Sequence, residues 1–194
     1  MSTDAEPFVR PLPVTEWDPE IAAIAGNPAA PGGGTLNVFA TLAHHPKLMK
    51  RWLVFGNHVM AKSTLPPRDR ELLILRTGWN CRSPYEWGQH VAIARACAIT
   101  DVEIAAVTYG AGAEGWSELD ALLLRAADEL HEKACVGAVT WRALEQHYTE
   151  QQMLDLVFTV GQYHLVAMAL NSCRTERDDG VDATSVPFPT HPDA

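Results

Sequence analysis

The sequence predicts an all-α protein, a helical bundle built around a central helical hairpin. Alanine is abundant, and the alternating runs of β-branched residues that are typical of strands are nearly absent. From Thr35 onward, apolar residues instead recur at helical spacing. Prolines and helix-capping residues interrupt this pattern at intervals, so the individual helices can be assigned from the sequence.

The domain organisation follows from where this pattern begins and ends. Residues 1–34 are rich in proline and end in a glycine run, which indicates an N-terminal arm with one short helix near residues 19–25 and a flexible joint. Residues 35–174 are expected to form a single helical domain, which is within the size of one hydrophobic core. Residues 175–194 are polar and contain several prolines, so we expect an extended C-terminal tail.

The first helices of the domain are bounded by prolines. Apolar residues from Leu36 to Ala43 form one helical face that ends before Pro46, and a second amphipathic helix follows from Leu48 to Val59. Pro67 can start the next helix, whose residues 72–75 are all apolar. Because such a helix has no polar side, we expect it to lie in the centre of the bundle.

The remaining helices are marked by their first residues. A break near residues 80–84 separates the central helix from a helix that contains the sequence YEWGQHV, and these two helices form the predicted hairpin, residues 68–98. Capping boxes at residues 100–103 and 149–152 each open a further helix. The later helices are expected at residues 118–133, 139–147 and 150–173.

Composition restricts the possible partners. The chain has 15 Lys and Arg against 24 Asp and Glu, a net charge of -9, which argues against binding to nucleic acid or to anionic lipid. No run reaches the length of apolar residues that a membrane span requires, and the acidic N-terminus does not resemble a secretory signal. We expect a soluble, cytoplasmic protein that binds a small molecule, and an anionic substrate held by a few local basic residues is compatible with this charge.

An acid and a histidine stand out on the second helix of the hairpin. At helical spacing, Glu86 and His90 continue the stripe that Ile93 and Cys97 form. Burial raises the pKa of a carboxyl and lowers that of an imidazole, whereas their mutual attraction acts in the opposite direction. The pair is therefore a candidate for proton transfer near neutral pH. The alternative is an ordinary pair that stabilises its own helix by a few tenths of a kcal/mol.

Two charged residues on the apolar central helix also need an explanation. Glu71 is either a buried carboxylate with a partner or an acid in water that the helix dipole stabilises. Arg76 is either part of a structural ion pair or a clamp for a substrate carboxylate. On the last helix, Tyr163 and His164 could line a pocket, but adjacent residues point to different sides, so at most one is expected to do so. Trp87 flanks the hairpin and could form a wall of the site.

The cysteine and histidine spacings do not predict a metal or a cofactor. The four cysteines, residues 81, 97, 135 and 173, match neither a zinc-binding nor a redox CxxC pattern. The adjacent His44 and His45 precede a proline and are expected at a helix junction, because neighbouring helical side chains diverge. We therefore expect no metal site and no cofactor.

The hairpin resembles the active-site hairpin of the carboxymuconolactone decarboxylase and alkylhydroperoxidase D-like family. The redox branch of that family has the pattern E-x11-C-x2-C-x3-H, and this chain has Glu71 and His90 at its ends but Ser83 and Glu86 in place of the two cysteines. The dithiol needed for peroxide reduction is therefore missing. The sequence YEWGQH is similar instead to the YEWxxH sequence of the decarboxylase branch, and the resemblance extends from Leu36 to Asn171.

The resemblance implies an alkylhydroperoxidase D-like bundle, a trimer or hexamer, and a cofactor-free carboxy-lyase acting on a carboxylated lactone or a similar conjugated acid. Glu71, Glu86 and His90 would carry the acid/base catalysis, and Arg76 would anchor the substrate. Two alternatives remain at this point. One is a peroxidase-type redox protein that uses Cys81, and the other is a non-catalytic ligand-binding protein of the same fold.

Overall fold

The protein is all-α, as predicted. The computed structural model describes residues 6–25 and 35–181, and every regular element within those ranges is helical. The α-helices, in chain order, are α1 Pro19–Ala25, α2 Asn37–Leu42, α3 Pro46–Asn57, α4 Pro67–Asn80, α5 Pro84–Ala96, α6 Asp101–Val107, α7 Glu118–Lys133, α8 Ala138–Leu144 and α9 Glu150–Cys173. A π-helical turn, His58–Lys62, continues α3, and the glycine-rich joint and residues 182–194 lie outside the described residues.

Helix α4 lies in the centre of the bundle, with α5, α7 and α9 packed around it. Its residues Leu72, Leu73, Ile74 and Leu75 are fully buried. A helix that is buried on every side needs no polar face. The central position predicted for α4 from its apolar sequence is therefore confirmed. The helix begins at Pro67, where the missing backbone N–H has no cost.

A short turn joins α4 to α5 and sets the register of the hairpin. Arg82 adopts a left-handed conformation with φ of 50°, and the backbone N–H of Ser83 donates to the carbonyl of Gly78 at 2.9 Å. The chain therefore reverses within a few residues, and α5 lies beside α4. This register places residues that are 19 apart in sequence, Glu71 and His90, opposite one another.

The capping boxes predicted for α6 and α9 are both present. The side chain of Thr100 accepts from the backbone of Glu103, and the Glu103 side chain accepts from the backbone N–H of Thr100. Thr149 and Gln152 form the same reciprocal arrangement at the start of α9. Helix α8 ends at Leu144, earlier than the expected His147, because the chain turns there towards the cap of α9.

Part of the predicted N-terminal arm packs on the bundle. The short helix expected near residues 19–25 is present as α1, and its Ile21 is buried in a cluster with Trp17 and with Met49 of α3. The backbone N–H of Phe8 donates to the carbonyl of Cys173 at the end of α9. These contacts join residues 6–25 to both ends of the domain, while the boundary at residue 34 stays a prediction.

Helix α9 is long and apolar enough to cross a membrane by length and composition alone. More than half of its most apolar stretch, 56%, is buried inside the bundle. A core helix of this length passes the same test, so the apolar character of α9 is explained by its contacts with α4 and α5.

Candidate active site

A cavity of about 320 Å³ lies between α2, α3, α5 and α9, beside the hairpin. Most of its lining side chains are apolar, and the polar ones are concentrated on α5 and α9. The lining residues are Leu36, Val38, Phe39, Trp52, Leu53, Gly56, Asn57, Met60, Tyr85, Glu86, Gln89, His90, Ile93, Gln162, Tyr163 and Val166. An apolar pocket with a few convergent polar groups is typical of a small-molecule site.

Glu71 and His90 form a buried ion pair behind this cavity. His90 Nδ1 lies 2.7 Å from Glu71 Oε2, and Glu71 is completely inaccessible to solvent. The other carboxylate oxygen of Glu71 accepts from Arg70, whose Nε lies 3.1 Å away. The alternative interpretation of Glu71, an acid in water at the start of a helix, is therefore wrong.

The ion pair changes the protonation of both partners. Burial acts to raise the pKa of Glu71, but the nearby charges of His90 and Arg70 outweigh it and hold this pKa below its usual range. Burial acts to lower the pKa of His90, but the Glu71 carboxylate outweighs it and raises this pKa above the ordinary value. Both shifts favour the charged pair, in which His90 Nδ1–H donates to the Glu71 carboxylate and Nε2–H faces the other way.

Glu86 lies on that other side of the imidazole. Its Oε2 is 3.7 Å from His90 Nε2, which is longer than a hydrogen bond, so the two groups are close without being bonded to each other. Burial raises the pKa of Glu86 to about 7, although the charge of His90 opposes the shift. Glu86 therefore exchanges a proton near neutral pH, as a general acid or base must.

Tyr163 fixes the imidazole from α9. Its ring meets the His90 ring edge to face, with the centroids 4.8 Å apart, and its hydroxyl lies 2.8 Å from the sulfur of Met60. Burial, together with the carboxylates of Glu86 and Glu71, raises the pKa of Tyr163 well above its usual value. The phenol stays neutral and acts as a rigid wall of the cavity.

Two polar side chains of the cavity have no hydrogen-bond partner within the described part of the chain. These are the indole N–H of Trp52 on α3 and the side-chain oxygen of Gln162 on α9. A buried polar group without a partner costs about 1–3 kcal/mol. A ligand that offers an acceptor to Trp52 and a donor to Gln162 would satisfy both groups.

The C-terminal segment closes one wall of the cavity. Asp178 is buried, and its carboxylate accepts from the hydroxyl of Tyr85, from Gln89 Nε2 at 2.6 Å and from the backbone N–H of Asn37 at 2.7 Å. Gly88 allows this close approach, because a Cβ there would lie 2.9 Å from the side chain of Val181. Residues 175–181 therefore pack on α5, whereas the boundary at residue 174 stays a prediction.

The structure does not bring Arg76 to the cavity. Its Nε lies 2.6 Å and its Nη2 3.1 Å from the two carboxylate oxygens of Asp128 on α7. Its remaining nitrogen donates to the carbonyls of Val107 and Thr108 at 2.8 and 3.0 Å. All three of its nitrogens donate to the protein, so the anchoring role expected for Arg76 is corrected to a structural one.

Trp87 and His164 also lie away from the cavity lining. Trp87 is buried in the main core, where its ring meets that of Trp79 at 5.4 Å. His164 contacts His131 on a different side of α9, and its place as a substrate-binding residue is corrected accordingly. The expectation that only one of Tyr163 and His164 faces the cavity is confirmed, because the two directions differ by about 100° on a helix.

Sequence reasoning missed three residues of the site. Arg70 is buried next to Glu71. A charged residue at the start of the most apolar helix was the sequence feature that could have indicated it. Gln162 was a polar residue inside the apolar sequence of α9. Asp178 had no local signal, because its partners are about 90 to 140 residues away in the chain.

Residues 46–129 match the carboxymuconolactone decarboxylase family, and this range includes both helices of the hairpin. None of the curated proteins that were compared with the chain shows significant sequence similarity to it.

Several solved structures share the fold. The alkylhydroperoxidase AhpD core protein from Ralstonia eutropha JMP134, described as peroxidase-related, is 21% identical with a TM-score of 0.76, and the match covers 93% of this chain and 98% of that one. A peroxidase-related protein from Silicibacter sp. TM1040 is 15% identical with a TM-score of 0.73 over 93% and 97% of the two chains. The debrominase Bmp8 is 13% identical with a TM-score of 0.77 over 95% and 98%.

These identities are low, so the structural matches establish the fold and leave the reaction open. The family match and the structural similarity agree on the same hairpin. The chain therefore has an alkylhydroperoxidase D-like fold, and residues 46–129 within it, which include the hairpin, match the carboxymuconolactone decarboxylase family.

Proposed function

We propose that the protein is a cofactor-independent acid/base enzyme that decarboxylates a small, largely apolar conjugated acid with a single carboxylate. The observation that carries this proposal is the position of Glu86 and the Nε2 atom of His90, 3.7 Å apart at one cavity and not bonded to each other. A carboxyl whose pKa lies near 7 and a nitrogen of a paired imidazole are thus available to the same bound molecule.

The charges around the cavity favour one substrate carboxylate. Arg70 and Glu71 compensate each other, which leaves the imidazolium of His90 as the positive charge of the site when Glu86 is protonated. No lysine or arginine is among the described residues that line the cavity. A second substrate carboxylate would be buried without a counter-ion, which is costly in an apolar site.

The reaction needs only protein side chains if the substrate carries a conjugated carbonyl. The bond between the carboxylate and its carbon breaks, CO2 leaves, and the electron pair of that bond moves into the carbonyl to give an oxyanion. The Nε2–H of His90 is placed to donate a hydrogen bond to this oxyanion. The carboxyl proton of Glu86 then moves to carbon, and Glu86 takes a new proton from solvent.

The cavity supports a small substrate. Its volume of about 320 Å³ is at the lower end of the range for ligand pockets, about 300–1,000 Å³. The unpaired groups of Trp52 and Gln162 would bind a carboxylate or lactone oxygen and a neighbouring hydroxyl. This combination describes a carboxylated lactone or a similar conjugated acid of about the size of one ring.

The structure favours this proposal over a thiol-based peroxidase. Cys81 does not line the cavity, and burial together with the charge of Glu86 raises its thiol pKa to about 11. A reactive cysteine needs the opposite shift. The debrominase and the peroxidase-related proteins share the fold, but the dithiol positions of the family pattern are Ser83 and Glu86 in this chain.

A non-catalytic ligand-binding role is less well supported. Glu71, Glu86 and His90 are all buried at or behind the cavity. Burial of three ionisable groups lowers the free energy of unfolding, and an apolar ligand pocket has no need of them.

We also propose that the enzyme works as a cytoplasmic homo-oligomer, with the trimer or hexamer as the expected assembly. On α9, the exposed Leu154, Phe158, Leu165 and Met168 form a single apolar stripe. Together with Gly161, these residues are spaced alternately four and three positions apart. This spacing is typical of a helix that packs against another helix.

The experiment is a substrate screen in matched sets. Conjugated ring acids with one carboxylate, the same acids with a second carboxylate, and their neutral esters are incubated with the protein, and released CO2 is measured. The proposal predicts release from members of the first set only. Release from none of the acids, together with thiol-dependent peroxide consumption that C81S abolishes, would replace it with the redox function.

A further inference from the structure

A second cluster of chemically active side chains lies outside the cavity. Cys81 directly follows α4 as its C-cap, His131 is in the last turn of α7, and His164 is on α9. One sulfur and two imidazole nitrogens from these residues all lie within 4.8 Å of one another. The cluster lines a surface depression of about 310 Å³, together with Met168 and Asn171.

The orientation of His164 is set by the backbone. Its Nδ1 lies 2.9 Å from the carbonyl oxygen of Val160, which can only accept, so Nδ1 carries the proton. Nε2 is then the atom with the free lone pair, and it points at His131 Nδ1, 2.9 Å away. A histidine whose other nitrogen donates to a backbone carbonyl is the usual arrangement of a metal ligand.

The position of Cys81 is fixed as well. Its Sγ lies 3.9 Å from His131 Nδ1. Its backbone carbonyl accepts from Asn171 Nδ2 at 2.9 Å, which holds the turn of the hairpin against α9. The end of α4, α7 and α9 thus bring three potential metal-ligand atoms close together. Each hydrogen bond within the cluster joins only two of them.

We infer that Cys81, His131 and His164 bind one divalent transition-metal ion, with Zn²⁺ as the best match. One thiolate and two imidazoles are borderline ligands that suit Zn²⁺ and do not suit Mg²⁺ or Ca²⁺. A tetrahedral ion with bonds of about 2.0–2.3 Å holds its ligand atoms about 3.3–3.6 Å apart. Two of the three separations, 2.9 and 3.9 Å, bracket this range and the third is within 4.8 Å, so side-chain rotations would bring the three atoms to bonding distance of one ion.

This site is distinct from the acid/base cavity. None of its three ligands lines the cavity, and Glu86 and His90 are not part of the cluster. The depression is open on the side of the exposed His131, which leaves a coordination position for water. A bound ion would join the hairpin turn to α7 and α9 and raise the melting temperature of the whole protein.

The test uses Co²⁺, which reports a thiolate ligand by its charge-transfer absorption, and Zn²⁺ as its competitor. Tag-free, metal-stripped full-length protein is titrated with Co²⁺ and then with Zn²⁺. We expect one equivalent to bind, a charge-transfer band that Zn²⁺ removes, and a higher melting temperature with Zn²⁺. C81S should abolish the band, and H131Q and H164Q should weaken binding by at least about tenfold.

The matched control is C135S, which removes an exposed thiol that is outside the cluster. It should keep the band and the affinity of the parent. H131Q changes an exposed side chain, so its fold is maintained and its affinity is directly informative. Absence of the band in the parent, or a band that survives in C81S and disappears in C135S, would overturn the proposal.

Discussion

His90 Nδ1 and Glu71 Oε2 lie 2.7 Å apart in the interior of the protein and join the two helices of the central hairpin. This contact also fixes the orientation of the His90 ring. Because Nδ1 is occupied by Glu71, the second nitrogen of the ring is the one that faces Glu86 and the cavity. The orientation of the imidazole, and with it the chemistry of the cavity, depends on a carboxylate that no substrate touches.

The first prediction concerns this ion pair. In E71Q the imidazole loses the carboxylate that raises its pKa, so burial should prevail and move the pKa of His90 below its ordinary value. NMR titration of the His90 ring would measure the shift, with E118Q, a change at an exposed glutamate, as the control. A His90 pKa that stays the same in E71Q would contradict the electrostatic account.

The second prediction concerns stability and pH. The folded-state pKa of Glu86, about 7, is higher than the ordinary glutamate value of 4.5, so the folded state binds more protons in this interval. The free energy of unfolding should therefore fall as the pH rises from about 5 to 8. The raised pKa of His90 acts in the same direction, since its contribution is lost as the pH rises through the folded-state value.

The effect of Glu71 lies elsewhere on the pH scale. Its lowered pKa contributes stability that is lost only as the pH falls through its folded-state titration range.

The variant E86Q tests the prediction for Glu86. In E86Q the decline in the free energy of unfolding between pH 5 and 8 should be smaller by on the order of 2 kcal/mol. Denaturant unfolding at several pH values measures it, and equal slopes in parent and variant would show that Glu86 is not a titrating group in this range.

The third prediction separates structure from binding at Arg76. Because its guanidinium is directed at Asp128 and two carbonyls, R76K should lower the free energy of unfolding by about 1–3 kcal/mol and leave KM unchanged. D128N, which removes the other partner, should have the same pattern. A raised KM in R76K alone would restore the substrate-anchoring role that the sequence suggested.

The fourth prediction concerns assembly. F158E and L165E place a charge on the exposed apolar stripe of α9 and should shift the protein from an oligomer to smaller species. Light scattering measures the mass of the parent and of both variants. V102E, a change at an exposed apolar residue on α6, is the matched control and should keep the mass of the parent. A parent that is already a monomer would end the proposal.

The sequence was most informative where local chemistry decides the structure. Proline positions, capping boxes and the apolar residues of α4 predicted the hairpin and most helix ends, because each of these signals acts within a few residues. Glu86 and His90 are four residues apart on one helix, so their common direction also followed from the sequence.

The remaining contacts depend on the tertiary fold. Arg76 has the charge of a substrate clamp, and only the position of Asp128 on α7 shows that its donors are already used. Asp178 reaches Tyr85 across 93 residues, and the cluster of Cys81, His131 and His164 spans separations of 50 and 33 residues. No spacing rule predicts side chains that meet only after the helices have packed.

The central claim is that Glu86 transfers a proton and His90 stabilises the oxyanion at the cavity, and turnover of E86Q and H90Q tests it most directly. On the acid identified by the screen, each variant should lower kcat by roughly 10²-fold or more, the usual contribution of a positioned acid or base. H147Q, a change at an exposed histidine, should keep the parent rate. If both E86Q and H90Q remain folded and keep most of the parent's kcat, the pair is structural and the claim is contradicted.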